Sequence, residues 1–145
     1  MKVEIIIAVL VERKGKVFFL PLEGKLLKLP KARLESPESP IDTARRLVKK
    51  TGYKDEAKIS HLVGIYSLSD VDEDRNMLVF GFVVSIKGDK EIRSGKWISK
   101  KELARIVEEE KQLEDASIDT VILRDYLQRE SYPLEILKRV EEVKL

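Results

Sequence analysis

The N-terminal segment carries the pattern that most restricts the fold. Two strand-forming runs, 5–11 and 17–20, are separated by the polar turn Arg13, Lys14, Gly15. This arrangement predicts a β-hairpin, and the unbroken apolar character of the first run predicts a buried strand. The first run is too short to span a bilayer and is followed at once by charged residues. We therefore expect a soluble, cytoplasmic protein with no membrane partner.

The segment after the hairpin combines a proline-rich loop with a well-marked helix. Ser39, Pro40 and Asp42 form a helix start, with a hydroxyl N-cap, a proline in the first turn and an acidic third position. Gly52 is a typical helix end. Four apolar residues recur at helical spacing and predict the face that packs on the core: Ile41, Ala44, Leu47 and Val48.

The second half of the chain predicts three more strands and three more helices. Two strand-like runs, 57–68 and 76–86, flank the acidic turn 69–75, and a short strand, 96–98, follows. Ser99 and Glu102 form a capping box for a helix from Lys100 to about Gln112. Ser117 opens the next helix, whose predicted apolar side is Ile118, Val121, Ile122 and Leu127.

The order of these elements predicts an α/β protein of the α+β type. A mixed sheet would be covered by helices on more than one side. The length of 145 residues fits a single domain, 1–145. Residues 131–145 form a C-terminal helical extension in this prediction, amphipathic from Pro133 onward. The extension would either pack on the domain or contact a second copy in a homodimer.

Composition excludes several classes of site. The chain has no cysteine and one histidine, His61, so it can build neither a thiolate site nor a histidine cluster. Its net charge is +2 although 37% of its residues are charged, so the whole chain is not a nucleic-acid-binding polycation. The abundance of Lys and Glu, with one Asn and two Gln, favours a thermophilic source. The alternating Asp70, Asp72 and Asp74 lack the glycine and glutamate of a calcium loop.

Positive charge is concentrated between residues 31 and 54. This segment carries seven Lys and Arg against three Asp and Glu, a net charge of +4. On the predicted helix, Arg46, Lys49 and Lys50 share a face opposite the apolar stripe. They are either an ordinary solvated surface or a site for phosphate groups. A nucleic-acid ligand is disfavoured, because few aromatic residues accompany these cations.

Several local motifs, in this order, resemble those of the Nudix hydrolases over about residues 3–127. Leu29 and Pro30 match the start of the Nudix box, Glu35 and the segment 37–39 match its loop, and 45–53 matches its helix. Downstream, 96–103 is similar to the family's tryptophan-containing strand and the capped helix after it. The resemblance implies an α/β/α sandwich and a pocket lined by the box helix.

The resemblance also implies a metal-dependent pyrophosphohydrolase, and here the sequence departs from the family. The box helix should carry glutamates that bind divalent metal, but Arg46, Lys49 and Lys50 occupy those positions. Lys31 and Ala32 replace the glycine pair after Pro30. The box is therefore degenerate, with no catalytic or metal-binding residue at the usual positions. The remaining loop carboxylates are Glu35 and Glu38.

The leading hypothesis is a Nudix-fold binding or regulatory module that needs no cofactor. Its predicted partner is a phosphate-bearing small molecule, and its predicted ligand-binding residues are Arg46, Lys49, Lys50, Lys31 and Arg33. The alternative is a Mg²⁺- or Mn²⁺-dependent nucleoside diphosphate-X pyrophosphohydrolase that uses displaced carboxylates. Glu35 and Glu38 would then be catalytic and would hold the metal together with Glu109. A third alternative is a protein-interaction subunit that uses the tail.

Overall fold

The computed structural model describes residues 2–55, 57–87, 95–109, 112–114 and 116–137. As far as α3, the strands and helices follow one another in the order that the sequence predicts, with two further short strands in the proline-rich loop. Their bounds are β1 (Lys2–Arg13), β2 (Lys16–Pro21), β3 (Leu27–Lys28), β4 (Lys31–Arg33), α1 (Pro40–Lys50), β5 (Lys58–Asp70), β6 (Arg75–Ser85), β7 (Lys96–Ser99), α2 (Lys100–Glu109) and α3 (Ala116–Leu127).

Strand β1 lies at the centre of a mixed sheet. It pairs in parallel with β6 along nearly its whole length, from Lys2 opposite Arg75 to Glu12 opposite Ser85. Its other edge pairs antiparallel with β4 and then with β2. The β1–β2 hairpin is confirmed. Its turn residues Lys14 and Gly15 have φ angles of 49° and 76°, the left-handed conformation that two-residue hairpin turns require.

The alternation of side chains along β1 separates two hydrophobic clusters. Ile7 and Val9 pack on one face of the sheet with residues of α1. Ala8 and Leu10 pack on the other face with residues of α2 and α3. Because both faces are covered, β1 is buried as its apolar run predicts. The architecture is an α/β/α sandwich.

Helix α1 begins and ends where the sequence predicts. The Ser39 hydroxyl accepts a hydrogen bond from the Asp42 amide at 3.2 Å, and the Asp42 carboxylate accepts one from the Ser39 amide at 3.1 Å. This reciprocal capping box satisfies two donors that a helix start leaves open. Gly52, with a φ of 98°, ends the helix. The buried face carries Thr43 in addition to the predicted Ala44, Leu47 and Val48.

Two predictions for the C-terminal helices are corrected. Val121 is 40% exposed, whereas Asp119 and Thr120 are buried beside Ile122 and Leu123. The buried face of α3 is therefore rotated from the predicted apolar stripe, because polar residues take core positions. Helix α2 ends at Glu109 and Gln112 lies in a turn.

The described part of the tail also differs from the prediction. Leu134–Ile136 form one 3₁₀ turn where an α-helix was predicted to start, and residues 138–145 lie outside the described part of the chain. Residues Leu134 and Leu137 pack against the cluster that α1 covers. Among the described helices, none has the length and apolar character needed to cross a membrane.

Candidate functional site

The loop before α1 is held to the helix by an ion pair between Glu38 and Arg46. The Arg46 guanidinium donates from Nε to Glu38 Oε2 at 2.9 Å and from Nη2 to Oε1 at 3.1 Å. The same Nη2 donates to the Arg33 carbonyl at 3.1 Å, and the Thr43 hydroxyl donates to Glu38 Oε1 at 3.1 Å. Both carboxylate oxygens of Glu38 therefore accept hydrogen bonds from protein donors, and Arg46 is its ionic partner.

This pairing shifts the ionisation of both partners. The hydrogen bonds from Arg46 hold the pKa of Glu38 below its usual value of 4.5, with a smaller contribution from Thr43. The hydrogen bond to Glu38 in turn raises the pKa of Arg46. Both side chains thus carry their charges at neutral pH, and each stabilises the charged form of the other.

The donor set at this site does not fit a divalent metal ion. Mg²⁺ is bound through several carboxylate and water oxygens in octahedral geometry. Here both Glu38 oxygens accept hydrogen bonds from the protein, and Glu35 is exposed in the loop. Glu109, the third carboxylate of the alternative set, pairs with Arg105 on α2 at 3.4 Å. Across the described residues, no three Asp, Glu or His side chains are grouped to hold a metal.

Lys31, one of the predicted ligand-binding residues, forms an ion pair with a buried carboxylate. Its Nζ lies 2.6 Å from Oδ1 of Asp119, and the side chain of Asp119 is fully buried. The other Asp119 oxygen accepts a hydrogen bond from the Leu29 amide at 3.1 Å. Asp119 thereby joins α3 to the segment between β3 and β4. Asp119 is not among the predicted site residues, although a carboxylate between Ile118 and Val121 in an apolar helix is a visible signal.

Arg33 is likewise engaged. Its guanidinium lies 3.2 Å from Oε1 of Glu4 on β1, and the arginine side chain is 66% exposed. Each of the three predicted cations outside the last turn of α1 has a carboxylate partner within the protein: Lys31, Arg33 and Arg46. Their role in ligand binding stays a prediction.

Arg46, Lys49 and Lys50 do share one surface, as the helical spacing predicts. They line a depression of about 510 Å³ together with Arg45 and Asp42. Lys31 and Arg33 do not line it. Lys49 and Lys50 are exposed in the last turn of α1. Within the described residues, no ion pair joins Arg45, Lys49 or Lys50 to a carboxylate.

A second depression adjoins the first along α1. Its volume is about 440 Å³, and Arg45 and Lys49 line both depressions. The other residues that line the second depression are Val48, Lys54, Asp55 and Ala57. We define the exposed cations of the two depressions, Arg45, Lys49, Lys50 and Lys54, as the basic face. Arg45 and Lys54 both contribute to the net charge of +4 counted between residues 31 and 54.

The other shifted titratable groups are on the α3 side of the sheet. The Tyr66 hydroxyl donates to Asp125 at 2.7 Å, and the Tyr126 hydroxyl donates to Glu12 at 2.6 Å. Burial, reinforced by the carboxylate partner, raises the pKa of each tyrosine. Each hydrogen bond joins α3 to a strand of the sheet, so we attribute the raised tyrosine pKa values to the packing of this helix on the sheet.

Trp97 and His61 show no arrangement for catalysis or stacking on a ligand. Trp97 packs edge-on against Phe18 with ring centroids 5.5 Å apart, and the Arg13 guanidinium lies 4.5 Å from its ring centroid. His61 is half-buried in β5. Trp97 is therefore part of the margin of the hydrophobic cluster that α1 covers.

Comparison with solved structures identifies relatives of this fold. A Nudix hydrolase from Nitrosomonas europaea is 24% identical, with a TM-score of 0.72, and the match covers 96% of this chain and 98% of that one. A MutT protein from Bacillus halodurans is 20% identical, with a TM-score of 0.66, over 88% of this chain and 84% of that one.

A third solved structure, a MutT protein of the Nudix family from methicillin-resistant Staphylococcus aureus, is 14% identical, with a TM-score of 0.64. The match covers 89% of this chain and 99% of that one. No protein-family model and no curated protein matches the sequence. These likenesses extend over nearly the whole chain and agree with the mixed sheet between α1 and the α2–α3 pair. The chain has the fold of the Nudix hydrolases.

Proposed function

We propose that this Nudix-fold protein is a binding module for a phosphate-bearing small molecule and lacks the metal-dependent hydrolysis of its fold relatives. The observation that carries the proposal is the two-point contact between Arg46 and Glu38. A carboxylate that could bind metal has both oxygens occupied by protein donors, and its partner stands at a position where the resemblance implies another metal ligand.

Electrostatics support the loss of metal binding. Two unit charges about 4 Å apart interact by roughly 1 kcal/mol in bulk water and about 4 kcal/mol at an effective dielectric constant near 20. A divalent ion doubles the repulsion from each neighbouring cation. Lys49 and Lys50 would oppose an ion at the position the box helix serves in the family, while Arg46 cancels the charge of Glu38 that would attract it.

The same charges favour an anionic ligand. Arg45, Lys49 and Lys50 extend from one helix face into solvent, and Lys49 lines both depressions. Lysine and arginine bind phosphate oxygens through charge-assisted hydrogen bonds. Lys31 and Arg33 contribute to the local potential, but each is paired with a carboxylate and neither lines a depression, so we assign direct contact to the basic face.

The test is calorimetric titration of nucleoside diphosphates, ADP-ribose and dinucleotide polyphosphates, each with Mg²⁺ and again with EDTA, while product release is followed. The proposal expects binding in EDTA without turnover. Lys49→Glu should weaken binding on the order of tenfold, the contribution of one charge-assisted hydrogen bond. Lys101→Glu, an equal charge reversal at an exposed position of α2, should leave binding unchanged.

Mg²⁺- or Mn²⁺-dependent turnover that Glu38→Gln abolishes would overturn this proposal. That result would favour the alternative in which Glu35, Glu38 and Glu109 hold the metal, and it would make the basic face ordinary solvated surface.

A further inference from the structure

The basic face continues across two depressions, and this continuity bears on the length of its ligand. Lys50 lines the first depression and Lys54 the second, while Arg45 and Lys49 line both. Arg45 and Lys49 are one helical turn apart on the same side of α1. They form a ridge of positive charge between the two depressions.

The side chains that line the depressions offer little for a nucleoside. No aromatic residue is among them, within the described chain. Tyr53, the nearest aromatic residue in sequence, is 5% exposed, and its hydroxyl lies 3.3 Å from both the backbone oxygen and the amide nitrogen of Lys87. The apolar lining consists of Val48 and Ala57. Recognition of a base by stacking requires an accessible ring, so the described surface favours ligands recognised by charge.

We propose that the basic face binds a linear chain of phosphates longer than a diphosphate, running across the Arg45–Lys49 ridge, and that no nucleoside is needed for recognition. This inference rests on the proposed function and specifies its ligand. A diphosphate is short enough to be satisfied within one depression. A longer chain reaches Lys50 on one side and Lys54 on the other, and gains charge-assisted hydrogen bonds at both ends.

The ion pair of Arg46 shows which charges of the first depression can contact a ligand. Arg46 lines the first depression but is already neutralised by Glu38. Asp42 lines it too, at the start of the helix, where its carboxylate keeps its negative charge and accepts a hydrogen bond from the Ser39 amide. Arg45, Lys49 and Lys50 outnumber this single carboxylate, so the first depression keeps a net positive charge, and Lys49 and Lys50 place it toward the end of α1 that leads to Lys54.

The experiment compares pyrophosphate, tripolyphosphate, long-chain polyphosphate and ADP by titration calorimetry in EDTA. We expect affinity to rise with chain length, by about tenfold or more from pyrophosphate to the long chain, and ADP to bind no more tightly than pyrophosphate. The binding constant for the long chain should also fall more steeply with salt, because more counterions are displaced.

A long chain can bind more tightly for two reasons: it makes additional specific contacts, or it simply offers more positions at which the same site can bind. Two variants distinguish these explanations. Lys54→Ala should lower the ratio of long-chain to pyrophosphate affinity by about tenfold, since the long chain makes a contact at Lys54 that a pyrophosphate seated in the first depression does not make. Lys101→Glu on α2 should retain the wild-type ratio. If Lys54→Ala leaves the ratio of long-chain to pyrophosphate affinity unchanged, the length dependence comes only from the number of binding positions on the chain, and the inference is overturned.

The remaining outcomes distinguish this inference from the proposed function. If ADP binds more than about tenfold tighter than pyrophosphate and length has no effect, the ligand is a nucleotide: the inference fails and the binding function stands. If an oligonucleotide of equal charge binds tighter than polyphosphate, the base-free ligand is wrong. If none of the phosphate compounds binds, both fail together.

Discussion

The two faces of the sheet use charged residues in opposite ways. On the α3 face, Lys31 and Asp119 pair at 2.6 Å with the aspartate fully buried. On the α1 face, Glu38 and Arg46 pair at 2.9 Å with about a quarter of each side chain exposed, and Lys49 and Lys50 extend into solvent beside them. The Lys31–Asp119 pair on the α3 face fastens α3 to the sheet, whereas the α1 face gathers several exposed cations around two adjoining depressions.

The difference follows from solvation. Removing one partner of a buried pair leaves an uncompensated charge in a medium of low polarity, which is strongly destabilising. A pair at the surface is screened by water and ions, so loss of either partner costs much less. Two cations that look alike in the sequence therefore differ in the fold. Lys31 stabilises the structure through a buried carboxylate, whereas Lys49 is exposed to solvent.

The largest effect is expected at the buried pair. Lys31→Met should lower the free energy of unfolding by about 3–5 kcal/mol, because Asp119 remains buried without its counter-ion. Urea denaturation at neutral pH measures the change. The double variant Lys31→Met/Asp119→Leu should recover part of the loss, since it removes both charges. A loss below about 1 kcal/mol for the single variant would erase the contrast between the two faces.

A smaller effect, which disappears in acid, is expected at the Glu38–Arg46 pair. The pKa of Glu38 is lowered in the folded protein, so its contribution to stability is present above pH 4.5 and is lost as the pH falls through the lower, folded-state pKa. The free energy of unfolding of the wild type and of Glu38→Gln should therefore converge in acid. A difference that stays constant through this range would mean that Arg46 does not hold the carboxylate.

Lys49→Glu should separate binding from stability. Because Lys49 is exposed, the free energy of unfolding should change by no more than about 0.5 kcal/mol. Phosphate-ligand affinity should still fall on the order of tenfold. Thermal unfolding and calorimetry on the same preparation test both. Equal affinity for wild type and variant would show that the basic face does not contact the ligand.

The smallest effect is expected from divalent metal. A ligand that binds only the folded state raises its unfolding temperature in proportion to the logarithm of its concentration. The unfolding temperature should therefore be the same in Mg²⁺ and in EDTA. A rise with Mg²⁺ that disappears in Glu38→Gln would locate a metal site where the donor set indicates none.

Local sequence signals determined the elements around the site. Lys14 and Gly15 specified the hairpin, Ser39 to Asp42 started α1, and Gly52 ended it. These signals act through hydrogen bonds and φ angles within a few residues, so the sequence alone carries them. The weakest predictions concerned α3 and the tail, where packing against the sheet overrides the local apolar pattern.

Only the tertiary structure decided what each cation near the box does. Arg46 and Lys49 are three residues apart on one helix, yet one is engaged by Glu38 and the other extends into solvent. Leu29 and Asp119 are 90 residues apart in sequence, and the fold joins them by a hydrogen bond. A side chain's partner depends on which surfaces pack together, and the free energy of that contact depends on its burial. The sequence by itself determined where the charges are, and the packing of the sheet determined which of them remain available.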